Sequence, residues 1–311
     1  MRNTFINELT LLAHQHKSIA LVVGDLGYSV VEEFAEEFPD RFINAGVAEQ
    51  NMTGVAAGMA SEGYHVFTYS IANFPTFRCA EQLRNDIAYH NLAVTVVSVG
   101  GGLAYGALGY SHHAVQDYAL IRCMPNMQIA APGDKLEVRA CLRYLVEYHG
   151  PSYLRLGIAN EFAVKRDLRQ INPGEWYLVY GEREQTKAIV TTGAALEIGF
   201  DWIKRPEYSR FSLYSVPVWG MAVKKQQISW LKSFSQIVSI EDHLVDGGFG
   251  SWLLESKSQY NGEISCDIKI VALDPRVCGT VGSQKVLNAF GGLGYPYAGP
   301  HGSHLSEGLR P

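Results

Sequence analysis

Glu49 stands where a short apolar run gives way to a helical pattern of small residues. The surrounding segment 44–60 is rich in glycine and alanine, which would let the helix approach a neighbour closely. A carboxylate at such a junction can be buried and directed at a ligand. A glutamate at a helix start is also common as a cap or as a partner of the helix dipole, so its position alone leaves both roles open.

Asp25 and the histidine pair His112 and His113 are further candidates. Asp25 follows the first apolar run, at the end where open α/β sheets place their ligands, although a helix-capping role fits it equally well. The histidines lie in a glycine-rich segment that starts at Gly100. A histidine titrates near neutrality and can orient a substrate hydroxyl or exchange a proton with it, whereas a lone histidine is usually a surface or core residue.

Apolar, β-branched runs alternate with helical patterns in the first half of the chain. They cover residues 19–23, 66–69, 93–99, 127–130 and 153–156. This alternation predicts a parallel sheet covered on both faces. A second alternation, with strands at 211–216, 237–241 and 268–273, predicts a smaller α/β domain. We therefore predict an α/β protein with domains 1–165 and 186–311, joined by a linker at 166–185 where periodicity fades.

Composition and charge argue against several classes of protein. The 311 residues are 47% hydrophobic and 18% charged, as in ordinary globular proteins, and the net charge of -5 comes without a basic stripe that would suit nucleic acid. Five cysteines without a CxxC spacing indicate reduced thiols rather than a disulfide framework or a zinc site. We find no signal-peptide core and no apolar run of about 18 residues, so we expect a cytoplasmic protein.

Two motifs in and after the Glu49 segment resemble the transketolase family. The first is Gly46-Val-Ala-Glu-Gln-Asn-Met followed by Gly54-Val-Ala-Ala-Gly, which is similar to the family's pyrimidine-domain signature. The second is Phe74-Pro-Thr-Phe-Arg-Cys-Ala-Glu-Gln-Leu-Arg, which is similar to its aromatic segment and EQIR-type helix. The resemblance implies thiamine diphosphate as cofactor, with Glu49 hydrogen-bonded to the aminopyrimidine N1′ so that the thiazolium C2 loses its proton. Glu49 should then be buried.

The same resemblance predicts which residues line the cofactor pocket. Phe74 matches the ring that packs on the pyrimidine, Phe77 matches a second aromatic of the pocket, and Ile71 replaces a third. Core packing is the alternative role for both phenylalanines. Asp25 ranks as a secondary cofactor contact. His112 falls on the family histidine that lies beside the reacting carbon.

The departures from the family lie on the substrate side of the site. His113 and Gly100 are also predicted to contact the substrate. Gly100 stands where the family has a sugar-contacting histidine, and Leu108 stands where it has an aspartate. The family arginine that grips a substrate phosphate falls on Ile158, although Arg155 is nearby. An apolar side chain cannot replace a guanidinium as a phosphate clamp, so we expect an unusual or activated sugar as the substrate.

The resemblance covers the pyrimidine-binding and C-terminal domains of a transketolase but not its diphosphate-binding domain. Segment 238–251, with Glu-Asp-His and Gly-Gly-Phe-Gly-Ser, is similar to a structural element of the C-terminal domain. The motif that holds Mg²⁺ against the diphosphate has no counterpart, so we expect no metal ligand in this chain. A partner subunit must then bring that domain and Mg²⁺, and the family implies an α2β2 heterotetramer.

We therefore expect a subunit of a split transketolase-like enzyme that moves a two-carbon ketol unit from a ketose donor to an aldehyde acceptor. Glu49, Phe74 and His112 are its key residues. The first alternative is the β subunit of a 2-oxo acid dehydrogenase, which has the same pair of domains, but the AEQN and SHH motifs favour the transketolase side. The second is a non-catalytic subunit, which the altered sugar-binding positions favour and the retained Glu49 opposes.

Overall fold

The computed structural model describes residues 1–158, 162–260 and 262–294, which form two sheets and their covering helices. The strands are β1 (Ile19–Val23), β2 (Phe42–Asn44), β3 (His65–Ile71), β4 (Val94–Val99), β5 (Gln128–Ala130), β6 (Ser152–Leu156), β7 (Tyr177–Tyr180), β8 (Lys187–Thr191), β9 (Ser212–Ser215), β10 (Val218–Gly220), β11 (Gln236–Leu244) and β12 (Asp267–Leu273). The α/β class predicted from the sequence is confirmed.

Helices connect most of these strands. They are α1 (Arg2–Gln15), α2 (Glu32–Glu37), α3 (Glu49–Ser61), α4 (Ala80–Gln82), α5 (Asp117–Arg122), α6 (Lys135–Tyr148), α7 (Ala195–Trp202), α8 (Gln227–Ser233), α9 (Phe249–Ser258) and α10 (Gln284–Phe290). A π-helical segment, Leu83–Ala88, continues α4. Within the described ranges, no helix has both the length and the apolar character needed to cross a bilayer.

The first sheet has the strand order β10-β5-β6-β4-β3-β1-β2. Its pairs are parallel except for β10, which runs antiparallel to β5. The strands β1, β4 and β6 are buried at every position. The sequence of β1 is accordingly apolar throughout, whereas β4 and β6 also bury Ser98, Ser152 and Arg155. Because the neighbours β1, β2, β3 and β4 are parallel, their carboxyl ends open on one edge of the sheet.

Helices cover both faces of the first sheet. On one face α1 packs beside α6, and Phe5, Leu9 and Leu142 belong to a single apolar cluster with the strands. On the other face α3 lies against β3, with Met52 and Ala56 fully buried. This arrangement fixes the start of α3 at the carboxyl edge of the sheet.

Only some of the small residues of α3 pack against other parts of this chain. Ala56, Ala57 and Ala60 are buried, but Gly54 and Gly58 are exposed, and a Cβ added to either glycine would meet no atom within 4 Å. No atom of the described chain approaches these glycines, so their expected role in close packing stays a prediction. Helical periodicity places them on the outer face of α3, away from the sheet.

The second sheet has the strand order β12-β11-β8-β9-β7, and only β7 is antiparallel to its neighbour. Strand β7 lies inside the segment predicted as a linker. Strand β10 belongs to the range predicted as the second domain, yet it pairs with the first sheet. The boundaries at residues 165 and 186 stay a prediction, and the chain crosses between the sheets more than once.

A continuous apolar core joins the two sheets. Trp219, on β10, packs against Phe249 and Trp252 of α9, with ring centroids 5.4 and 5.3 Å apart. All three side chains are almost completely buried. Large aromatic side chains dominate the energetics of such contacts, so the two sheets should unfold together.

Two buried histidines make stability sensitive to acid. Burial lowers the pKa of His65 to about 3 and that of His243 to about 4. In the unfolded chain both imidazoles take up a proton near pH 6.5. The unfolded state therefore binds more protons below that pH, and the free energy of unfolding falls as the pH drops from about 6.5 towards 4.

We predict that His65→Gln, which cannot titrate, makes this fall shallower by up to about 1.4 kcal/mol per pH unit. Urea unfolding at several pH values measures the slope directly. His90→Gln, at an exposed position, serves as the control for the substitution itself. Equal slopes for His65→Gln and the wild type would show that His65 takes up its proton in the folded state as readily as in the unfolded chain.

Candidate active site

Glu49 is the first residue of α3, and its side chain is completely buried. Ser70 Oγ donates a hydrogen bond to Oε1 at 3.1 Å, and Arg78 Nη1 donates to Oε2 at 2.5 Å. Gly24, directly after β1, faces the carboxylate, and a Cβ there would lie at van der Waals distance, 3.4 Å, from the Glu49 side chain. Both hydrogen-bond donors lie outside α3, so the carboxylate is buried as expected and does not cap its own helix.

The turn after β3 brings an aromatic ring to this carboxylate. Phe74 N donates to the carbonyl of Ile71 at 2.8 Å and closes the turn. The Phe74 ring is half-buried, and the guanidinium of Arg78 lies 4.7 Å from its centroid. Phe77 is 47% exposed. Phe74 is thus connected to Glu49 through Arg78, whereas Phe77 lies closer to the solvent.

His112 lies beside the same ring. The side-chain amide of Asn73 donates to the carbonyl of Ser111 at 3.1 Å and to that of His113 at 2.9 Å, so the turn after β3 holds the histidine loop. The rings of His112 and Phe74 meet edge to face, with centroids 5.3 Å apart. Burial and the neighbouring His113 lower the pKa of His112, which favours a neutral ring that can accept a proton.

His113 and Gly100 stay predicted substrate contacts, and the structure places the first inside the protein and the second beside Tyr105. His113 is 1% exposed, and its Nε2 lies 3.3 Å from the carbonyl of Gly106. Gly100 has φ of +84°, and a side chain there would overlap the ring of Tyr105. Tyr105 in turn lies 6.2 Å from the ring of His112. Tyr105 therefore fills the space beside Gly100, and His113 faces the protein interior.

The altered positions on the substrate side offer no phosphate clamp. Ile158 packs on the apolar cluster around α1 and α6, and Leu108 is 58% exposed. Arg155 is 2% exposed and donates hydrogen bonds of 2.7 Å to both Asp117 and Asp242. Arg155 is therefore committed to buried ion pairs and does not replace the missing arginine.

Arg2 is a residue of this region that sequence reasoning missed. Burial raises the pKa of Tyr69 to about 12 and also raises that of Tyr105, and the positive charge of Arg2 opposes both shifts. The Arg2 Nε is buried and has no hydrogen-bond partner among the described residues. No sequence pattern marks an arginine at this position, because only the packing of α1 against the sheet brings it near Tyr105.

Asp25 lies at the rim of the site. It is exposed with φ of 54°, its backbone N donates to Asn44 Oδ1 at 3.1 Å, and Asn44 Nδ2 donates to Asp25 Oδ1 at 3.0 Å. The pair ties the ends of β1 and β2 together and borders a cavity of about 90 Å³ with Tyr28. Its neighbour Gly24 faces the Glu49 side chain, because a Cβ added to Gly24 would lie 3.4 Å from it.

These residues fit one end of thiamine diphosphate. A buried acceptor, Glu49, and an aromatic face, Phe74, suit an aminopyrimidine that donates hydrogen bonds and stacks. Among the described residues, no group of three or more His, Cys, Asp or Glu is arranged to hold a metal ion. The described part of the chain thus offers contacts for the pyrimidine, and we find in it no oxygen cluster for a metal bound to the diphosphate.

Comparison with known sequences gives the same assignment. Residues 1–160 match the family model described as transketolase, pyrimidine binding domain. The chain is 33% identical over 264 residues to a subunit of apulose-4-phosphate transketolase from Phocaeicola vulgatus, and the match covers 83% of each protein. It is 32% identical over 278 residues to 1-deoxy-D-xylulose-5-phosphate synthase of Clostridium perfringens, where the match covers 87% of this chain but 43% of the synthase.

Solved structures show the same relation. A chain described as split gene transketolase, inactive beta4 tetramer, is 28% identical and aligns with a TM-score of 0.76 over 88% of this chain and 89% of that one. Transketolase of Campylobacter jejuni, 16% identical, shares the fold with a TM-score of 0.75 over 94% of this chain and 45% of its own. This chain therefore belongs to the transketolase family, in which it corresponds to the C-terminal half that begins with the pyrimidine-binding domain.

Proposed function

We propose that this chain is the pyrimidine-binding subunit of a split transketolase-like enzyme that depends on thiamine diphosphate. It transfers a two-carbon ketol unit from a ketose donor to an aldehyde acceptor. The observation that carries the proposal is the buried carboxylate of Glu49, connected through Arg78 to the ring of Phe74. A buried carboxylate is costly to hold, and such groups concentrate at functional sites.

The proposed roles of the side chains follow from their places. When bound, thiamine diphosphate supplies the carbon that attacks the carbonyl group of the donor. Glu49 holds a proton at N1′ of the aminopyrimidine, and the ring of Phe74 packs on the pyrimidine and excludes water. His112, whose ring lies 5.3 Å from that of Phe74, exchanges a proton with the donor hydroxyl. Its lowered pKa keeps the neutral ring available near pH 7.

The proposed substrate is an unusual or activated sugar, because the altered substrate side lacks the phosphate clamp of the family. The relative from Phocaeicola vulgatus is named for apulose-4-phosphate, which supports sugar phosphates as a class to test. Ile158 and Arg155 provide no free guanidinium for such a group. The positive charge of Arg2 acts on Tyr105, whose ring lies 6.2 Å from that of His112, so we propose Arg2 as the cation that meets an anionic group of the substrate.

A partner subunit completes the proposed site. It contributes the diphosphate-binding domain and the oxygen ligands of Mg²⁺, a proposal supported by the match to 1-deoxy-D-xylulose-5-phosphate synthase, of which this chain covers only 43%. The proposed assembly is a cytoplasmic α2β2 heterotetramer. A pair of pyrimidine-binding subunits related by a twofold axis would form its centre.

Calorimetric titration of thiamine diphosphate with Mg²⁺ tests this division of labour. The titration is run on this chain alone and on the chain mixed with a candidate partner that carries a GDG motif and a downstream asparagine. We expect binding and ketol transfer only with the pair. Full binding by the lone chain would contradict the split site, oxidative decarboxylation of a 2-oxo acid would favour the dehydrogenase alternative, and no binding by the pair would favour a non-catalytic subunit.

The two phenylalanines should differ in their effect on the cofactor. Phe74→Ala removes the ring beside Glu49, and we expect the Kd of thiamine diphosphate in the assembled pair to rise by about 10- to 100-fold. Phe77→Ala removes a ring that is 47% exposed and should change the Kd less than Phe74→Ala. Calorimetry on both variants measures the difference. A larger effect of Phe77→Ala would mean that the pyrimidine stacks nearer to Phe77.

A further inference from the structure

The completely buried state of Glu49 raises a question of access. The proposed function requires the aminopyrimidine to touch this carboxylate, yet its side chain is 0% exposed. Ser70, which contacts it from β3, is itself buried, and so is Gly24, which faces it from the residue after β1. A group that covers the carboxylate must therefore move before a ligand can reach it.

Arg78 is the mobile candidate for that cover. Its Nη1 donates to Glu49 Oε2 at 2.5 Å, yet its side chain is 44% exposed. A long side chain with a partly solvated head can change its rotamer without disturbing the core. Among the groups that contact the carboxylate in the described structure, Arg78 is the exposed one, so it faces the side from which a ligand would come.

The guanidinium lies against both groups that the proposed cofactor would contact, the carboxylate of Glu49 and the ring of Phe74. It is planar, it donates a hydrogen bond to Glu49, and it lies 4.7 Å from the centroid of the Phe74 ring. An aminopyrimidine is also planar, donates to a carboxylate and packs on an aromatic face. The two groups cannot use the same oxygen lone pair and the same ring face together.

We propose that Arg78 is a placeholder in the cofactor site, which the aminopyrimidine displaces when it binds. This inference rests on the proposed function. Without a ligand, Arg78 provides the opposite charge that a buried carboxylate requires, since Ser70 offers only a neutral donor. When the aminopyrimidine takes over the hydrogen bond to Glu49, the guanidinium leaves Phe74 and turns to the solvent or to the partner subunit.

Displacement of Arg78 lowers the apparent affinity for the cofactor. If the open rotamer is populated in about one molecule in ten, the apparent Kd is about tenfold higher than that of the open site. Arg78→Ala removes this competition. We therefore expect thiamine diphosphate to bind the assembled pair about tenfold more tightly after the substitution, whereas a residue that only positions Glu49 would give weaker binding.

The same substitution should lower the thermal stability of the ligand-free chain, although it raises the affinity for the cofactor. Arg78→Ala leaves the buried carboxylate with Ser70 as its hydrogen-bond donor, so thermal unfolding of the lone chain should occur a few degrees lower. The saturated pair should melt close to the wild type, because the guanidinium is already displaced there. Arg169→Ala, which removes an 85% exposed arginine, controls for the loss of one positive charge and should change neither value.

A double-mutant cycle completes the test. In the Glu49→Gln background, Arg78 has lost its charged partner, so Arg78→Ala should change the Kd by less than about twofold. Tighter binding by Arg78→Ala that disappears in this background supports the placeholder. Weaker binding by Arg78→Ala, while the wild-type pair binds and turns over, overturns it and leaves the proposed function intact. Failure of the wild-type pair to bind cofactor overturns both.

Discussion

Glu49→Gln should lower the turnover of the assembled pair by about a thousandfold, within the range of acid–base catalysis by one side chain. Glutamine has nearly the shape of glutamate and can still hydrogen-bond the aminopyrimidine, so the Kd of the cofactor should change much less than turnover. A carboxyl group can pass a proton to N1′ and take it back, and an amide cannot. The expected signature is therefore a loss of kcat with cofactor binding retained.

Ketol transfer at saturating cofactor, together with calorimetry on the same preparation, measures both quantities. Glu36→Gln, at an exposed position of α2, is the matched control and should keep the wild-type rate. Turnover by Glu49→Gln within tenfold of the wild type would show that the buried carboxylate serves structure rather than proton transfer. If cofactor binding fell as much as turnover, Glu49 would contribute to holding the cofactor rather than to the proton transfer.

The central contacts of the site could be predicted from the sequence because they depend on local patterns. Glu49 begins a helix after a strand, and Phe74 follows another strand, so the parallel arrangement alone brings their surroundings to one edge of the sheet. The contact of His112 with Phe74 required more, namely the side chain of Asn73, which joins the two loops. The motif indicated His112, but it did not indicate the hydrogen bonds from Asn73 that hold its loop.

Other features depended on side-chain packing between segments distant in sequence. Arg78 is four residues after Phe74, but its rotamer over that ring follows from the buried charge of Glu49. Tyr105 fills the space beside Gly100. The sequence pattern showed only that Gly100 stands where the family has a histidine. The inward direction of His113 has the same origin, because the turn that exposes one histidine buries the next.

The edge strands were difficult for a related reason. β10 is three residues long, and its antiparallel pairing with β5 joins parts of the chain about 90 residues apart. Periodicity over so short a segment carries little information. The edge strand β7 is also antiparallel to its neighbour. In the loop that precedes β7, the guanidinium of Arg166 donates to Asp134 at 2.8 Å and to Glu137 at 2.6 Å.

Arg155 links the two sheets to the histidine loop. Its Nη1 donates to Asp242 on β11, its Nε donates to Asp117 at the start of α5, and its Nη2 donates to the carbonyl of Ala114 at 2.8 Å. A Cβ added to Gly101 would lie 2.5 Å from the guanidinium. The glycines after β4 thus let the loop that carries His112 rest on this ion pair.

Arg155→Met should lower the free energy of unfolding by about 3–5 kcal/mol, because it leaves two buried carboxylates without their counter-charge. Burial already raises the pKa of Asp242 even with Arg155 beside it, so this carboxyl group has little else to stabilise its ionised form. Urea unfolding measures the loss, and Arg169→Met on the exposed surface should cost less than about 0.5 kcal/mol.

Combining Arg155→Met with Asp117→Asn and Asp242→Asn distinguishes charge from packing. Replacing both carboxylates with neutral amides removes the uncompensated charges, so the triple variant should recover part of the stability that Arg155→Met loses. If the triple variant is instead the least stable, the main contribution of Arg155 is its packing, including its contact of 4.3 Å with the ring of Tyr118. In that case the loop that carries His112 depends on the shape of the Arg155 side chain rather than on its charge, and ketol transfer should fall in the triple variant as well.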